Sequence, residues 1–178
     1  MKVSILGVGR PERILGYTVM TEKELQKLVF DVAEYLAKKG YEIVIAPDKG
    51  IPLEVAKAYK AFGGKKVYGM VPVNDKKYGT KHIEGNLKFI DERIEVNDWY
   101  DVNGEIAAAG EFAICIGLSA GIMTEIAILK YHYKFFNIKT KVIMFANTMT
   151  TRLPKEIEED LKGNLIYVNS VTDMKKYL

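Results

Sequence analysis

Glu125 is the only acid in an otherwise apolar stretch, and it follows Gly121 by four residues. In a helix that spacing puts both on one face. The lean of Cβ bonds toward the N-terminus then aims the carboxylate back at the residues before Gly121. Those residues are Gly117, Leu118, Ser119 and Ala120, three of them small enough to keep bulk off the backbone. Successive free amides at a helix start, with no side chain in the way, make a seat for phosphate or carboxylate. Ser119 suits the N-cap, where its hydroxyl could also reach a ligand. The competing structural reading is a tight strand-to-helix turn with Glu125 satisfied by nearby amides. Two further places hold comparable chemistry. Gly7 and Gly9 let a ligand approach the backbone, and Arg10 could clamp an anion there. Asp48, Lys49 and Gly50 form a second short loop, in which Lys49 is another source of positive charge.

Something must carry these loops. Residues 112–116 read as a buried strand that breaks at Gly117, and 122–136 as a long helix, apolar nearly all round. Residues 3–6 are a first strand running into Gly7-Val8-Gly9-Arg10-Pro11. After a long loop to Tyr17, Thr21 and Glu24 form a capping box. A helix with apolar positions from Leu25 to Leu36 follows and stops at Gly40. Strand 41–46, helix 51–62 and strand 66–71 come next, and Pro52 fits a first helical turn. Residues 74–85 are polar and read as a solvated, mobile connection, with a substrate lid as the alternative. Residues 89–96 read as a short strand or irregular crossover, and 99–110 as a helix. Strand 141–146, turn 147–151, helix 154–161, strand 165–168 and a terminal helix from 171 complete the chain. The alternation predicts a single α/β domain over 1–178, a doubly wound, Rossmann-like, mainly parallel sheet with helices on both faces. Ligands bind such sheets outside the carboxyl ends of the strands. The loops after strands 3–6, 41–46 and 112–116 therefore converge on one crevice.

Composition narrows the function. With 178 residues, 48% of them hydrophobic and 28% charged, the chain has the profile of an ordinary globular domain. The net charge of +3 is small and the lysines are scattered, so nucleic acid is not an expected partner. Cys115 is the only cysteine, and His82 and His132 have no ligand spacing, which leaves no disulfide framework or metal set. No signal peptide or membrane-length apolar run is apparent, and a cytoplasmic location is expected. Gly-x-Gly after the first strand suggests a dinucleotide fold, but Glu12 stands where the third glycine belongs. No acid ends the second strand at the usual distance either.

Two stretches resemble a known family. Gly63-Gly64-Lys65-Lys66-Val67-Tyr68-Gly69-Met70-Val71-Pro72 is similar to the GG-x-V-x-G-x-x-P segment of the Lonely Guy-like, "lysine decarboxylase-like" Rossmann proteins of the SLOG superfamily, with one extra lysine. Residues 117–125 stand at their P-G-G-x-G-T-x-x-E signature. Gly121 and Glu125 match, Gly117 replaces the proline, Leu118 and Ser119 replace two glycines, and Ile122 replaces the threonine. Thr124 or Ser119 could supply a hydroxyl instead. Asn103 falls where relatives have Arg-Asn or Arg-Lys, with Val102 at the arginine position.

In that family the loop binds a nucleotide phosphate, and the arginine and glutamate serve cleavage of a base from ribose 5-monophosphate. The resemblance therefore implies a nucleotide site built from Gly7, Gly9, Arg10, Asp48, Lys49, Gly50, Asn103, Gly117, Leu118, Ser119, Ala120, Gly121, Ile122 and Thr124. Glu125 is its candidate catalytic group, and no cofactor or metal is implied. With Val102 in place of arginine, the expectation is a nucleotide or nucleotide-derivative binding protein with weak or no catalysis. The alternative is a phosphoribohydrolase acting on nucleoside 5′-monophosphates. Relatives pair through comparable helices, so a homodimer is expected.

Overall fold

In the computed structural model, which describes residues 1–178, the strands are β1 (Lys2–Gly7), β2 (Glu42–Ile45), β3 (Val67–Pro72), β4 (Glu92–Val96), β5 (Phe112–Ile116), β6 (Lys141–Phe145) and β7 (Leu165–Val168). All pair in parallel, in the order β4-β3-β2-β1-β5-β6-β7. The helices are α1 (Glu12–Tyr17), α2 (Glu22–Lys38), α3 (Ile51–Ala61), α4 (Trp99–Glu105), α5 (Ala120–Ala127), α6 (Leu129–Phe135), α7 (Lys155–Asp160) and α8 (Val171–Met174). The central strands are near-continuous runs of buried apolar residues, as a parallel sheet covered on both faces requires. Strand order runs one way from β1 to β4 and the other way from β5 to β7. With crossovers of one hand, that reversal puts the α2–α3 pair and the α4–α5–α6 group on opposite faces. The expected doubly wound α/β architecture is what the chain adopts, around one contiguous apolar core.

The capping box at α2 forms as read. Glu24 Oε2 accepts from the Thr21 amide at 2.8 Å, and Thr21 Oγ1 accepts from the Glu24 amide at 3.3 Å. Four expectations need correction. Residues 12–17 are helical rather than loop, although α1 has no side-chain cap and buries only Ile14. The helix expected over 99–110 ends at Glu105 and continues as a 3-10 turn at Ala107–Ala109. The long helix expected over 122–136 begins at Ala120 and divides at Ile128 into α5 and α6. Ile122, Ile126, Leu129 and His132 are buried, while the aromatic residues Tyr131, Phe135 and Phe136 face outward.

The fourth correction is the polar segment 74–85, which is anchored rather than merely solvated. Asp75 accepts hydrogen bonds from the amides of Lys77, Tyr78, Gly79 and Trp99, closing a turn against the start of α4. A 3-10 helix, Lys81–Phe89, follows, and Asn86 Nδ2 donates to the carbonyls of Pro47 and Asp48.

Candidate ligand-binding site

The strand order reverses between β1 and β5, which pair from Val3↔Phe112 to Gly7↔Ile116. Loops leaving their carboxyl ends part there and open a crevice of about 200 Å³. Nine of the residues expected from sequence line it: Gly7, Gly9, Asp48, Lys49, Asn103, Ser119, Gly121, Ile122 and Glu125. Val102 of α4 lines it at the position expected for the family's arginine, and Trp99 of α4, to which the sequence pointed in no way, lines it as well. Val102 is 1% exposed, so the position that carries arginine in the resembled family is an apolar wall here. Lys49 is the one basic residue among the lining side chains.

The other six expected residues do not line the crevice. Arg10 is exposed outside it. Gly50 is needed for packing: at φ +85° its absent Cβ would lie 2.3 Å from the Val8 carbonyl oxygen. That close approach lets the Ile51 amide donate to the same oxygen at 3.1 Å, tying α3 to the end of β1. The Gly117 amide is occupied, donating to Thr148 Oγ1 at 2.8 Å. The Thr124 hydroxyl is also occupied, donating to the Ala120 carbonyl at 3.0 Å. Leu118 and Ala120 line a neighbouring hollow with Arg13, Tyr17 and Thr150; Ser119 borders both spaces.

Ser119 is the N-cap of α5, its Oγ accepting from the Ile122 amide at 3.4 Å. The amides of Leu118, Ser119, Ala120 and Gly121 donate to no carbonyl of the chain. Four undonated N–H groups at the head of a helix carry partial positive charge and suit an anion. A Cβ on Gly121 would meet only Ser119 Oγ, at 3.9 Å, so space beside these amides is open.

Glu125 stands one turn further along α5. Burial, with no hydrogen-bond donor or cation to offset it, pushes its carboxyl up to about 8. The group is therefore mostly neutral at pH 7, a hydrogen-bond donor as well as an acceptor. The alternative in which nearby amides satisfy it does not hold. Cys115 beneath is fully buried and inert, its thiol donating to the Gly117 carbonyl. No group of three or more His, Cys, Asp or Glu side chains is placed to hold a metal.

Beside the crevice lies a second hollow of about 320 Å³, lined by Asp48, Tyr78, His82 and Trp99. Trp99 is fixed by a hydrogen bond from Nε1 to the Gly79 carbonyl at 3.1 Å, and the His82 ring lies 5.4 Å from its ring. Asp-x-x-x-Gly is a turn signal that could have flagged the Asp75–Gly79 loop. No local pattern ties that loop to Trp99, twenty residues on.

Residues 1–175 match the SLOG cluster4 family. The chain belongs to that family. The fold is shared with solved structures of low sequence identity. A molybdenum cofactor carrier protein from Chlamydomonas reinhardtii is 15% identical with a TM-score of 0.71, over 99% of this chain and 94% of that one. The molybdenum cofactor binding protein from Rippkaea orientalis is 14% identical with a TM-score of 0.69, over 99% and 93%. DNA processing protein A from Helicobacter pylori, described by its single-stranded DNA binding, is 16% identical with a TM-score of 0.62, over 99% and 79%. No match is found among curated proteins. No helix of this SLOG cluster4 chain is long and apolar enough to cross a membrane.

Proposed function

We propose that the chain binds a small phosphorylated ligand, a nucleotide or nucleotide derivative, and holds it without turning it over. The supporting observation is the group of undonated amides at Leu118–Gly121 beside the unpartnered carboxyl of Glu125. A phosphate at the amides gains charge-assisted hydrogen bonds, and a neutral Glu125 donates to the ligand where a carboxylate would repel it. Lys49 supplies the balancing positive charge. Structural neighbours named as carrier and binding proteins of the molybdenum cofactor support a holding role.

A second reading is a phosphoribohydrolase. The raised Glu125 carboxyl favours it, since such a group can protonate a departing base while water takes the anomeric carbon. Val102 weighs against it, because no cation at that position helps to orient the substrate or stabilise the developing charge. Single-stranded DNA, suggested by the DNA processing neighbours, ranks third because the net charge is only +3 and the lysines are scattered along the sequence. Incubation with AMP, GMP, CMP and UMP, followed by chromatography for free base and by thermal shift, separates the first two readings. The expected result is a raised melting temperature with no base released. Robust release that Glu125→Gln reduces by about 10²-fold or more makes the chain an enzyme.

A homodimer is proposed through the outer face of α6. Tyr131, Phe135 and Phe136 there are 54%, 63% and 67% exposed, and the first two stack at 6.2 Å. A second copy covering them removes apolar area from water. Light scattering at micromolar concentration should give twice the chain mass; a monomer removes the proposal.

A further inference from the structure

We propose that the hollow beside the crevice is a second subsite, taking the planar ring of the ligand and selecting a heterocycle with adjacent N–H donors. That edge is common to guanine and the pterins. The inference deepens the phosphate reading above and rests on it for the position of the ligand's other end.

Asp48 and Trp99 line both the hollow and the crevice, so the two spaces share a wall and one elongated ligand can occupy both. The hollow is built rather than incidental. Trp99 is held at both ends, its backbone amide donating to Asp75 Oδ2 and its indole nitrogen to the Gly79 carbonyl. The Asp75 carboxylate also gathers the amides of the loop that carries Tyr78. Those bonds, led by the one from Tyr78, hold its pKa below the ordinary value for aspartate. A pinned indole flanked by Tyr78 and His82 is a stacking platform for a flat ring, whose face any aromatic can accept.

Asp48 gives the platform its selectivity. Asn86 fixes the Asp48 backbone, donating to its carbonyl at 2.8 Å. The Asp48 carboxylate has no hydrogen-bond donor of its own; His82 Nε2 is 3.9 Å away, beyond hydrogen-bond reach. A carboxylate standing in an aromatic hollow accepts two parallel N–H bonds from a ring nitrogen and its neighbouring amino group. Adenine presents a ring acceptor to the same edge and is repelled.

Trp99 is the only tryptophan of the chain, so its emission reports this subsite alone. The full chain is titrated with GMP, AMP, ribose 5-phosphate and a pterin monophosphate. Affinity is read by calorimetry, and Trp99 emission is excited beyond the guanine band. GMP should quench Trp99 and bind about tenfold or more tighter than AMP or ribose 5-phosphate. Asp48→Asn, close to isosteric, should erase the preference for GMP over AMP. Trp99→Leu should weaken GMP more than it weakens ribose 5-phosphate. The same preference shown by the pterin phosphate in place of GMP keeps the subsite and identifies the ring as a pterin. Equal affinity for all four compounds with unchanged emission overturns the subsite while the phosphate reading stands. Quenching by GMP without binding of ribose 5-phosphate keeps the subsite and overturns the phosphate reading. No binding by any of the four overturns both.

Discussion

At Gly50 an added Cβ would lie 2.3 Å from the Val8 carbonyl oxygen, whereas at Gly121 its nearest neighbour would be Ser119 Oγ at 3.9 Å. The first glycine lets two loops of the chain touch. Gly7 belongs with it, since a Cβ there would meet Ile51 at 2.6 Å. Together they lock β1 to α3 and build the back of the crevice. The second glycine touches almost nothing and leaves bare amides facing open space. The two kinds look alike in sequence, yet the space at one is filled by the protein itself and the space at the other is open. An open glycine points to a ligand only where, as at Gly121, it also stands among helix-start amides that donate to no carbonyl of the chain.

The largest effect expected from this contrast is on stability. Gly50→Ala adds a Cβ against backbone at a positive φ, and should cost roughly 3–5 kcal/mol in urea unfolding. A variant as stable as wild type would dissolve the distinction between the two glycines.

The next effect depends on pH. The Glu125 carboxyl titrates near 8 in the folded chain and near 4.5 when unfolded, so the folded state holds its proton more tightly. Its stabilising contribution is complete below about pH 4.5, falls as pH rises, and is gone above about 8. Gln cannot ionise. Glu125→Gln should therefore match wild type near pH 5 and exceed it at pH 9 by on the order of 2–4 kcal/mol. A stability difference that stays flat from pH 5 to 9 would mean that the carboxyl is well solvated through the open side of the crevice.

The smallest effect concerns charge. Arg10 lies outside the crevice, and Arg10→Ala should change ligand affinity by less than about 0.5 kcal/mol in calorimetry. A tenfold loss would return Arg10 to the site.

Much of this was legible in the amino-acid sequence, and the exceptions share a cause. The parallel strands, the Thr21–Glu24 capping box and the placement of Gly121 with Glu125 on one crevice wall follow from local spacing, which local physics enforces. The family resemblance read on 63–72 and 117–125 agrees with the match over 1–175. What escaped depends on partners far along the chain. Gly117 reads as a ligand glycine until Thr148 takes its amide from 31 residues away. The 74–85 segment is largely exposed, as read, but its anchoring by Trp99 and Asn86 has no local signal. α1 escaped for another reason: with no side-chain cap and only Ile14 buried, it has almost no pattern to read.

The amides of 118–121 are the proposed seat of an anion. Calorimetry of wild type and Gly121→Val with ribose 5-phosphate is the test, because a Cβ there meets only Ser119 Oγ within the chain and the valine methyls reach into the space beside the amides. Wild type should bind, the variant should not, and the variant's unfolding free energy should stay within about 1 kcal/mol of wild type. Unchanged affinity in a folded Gly121→Val chain would contradict it and place the ligand elsewhere.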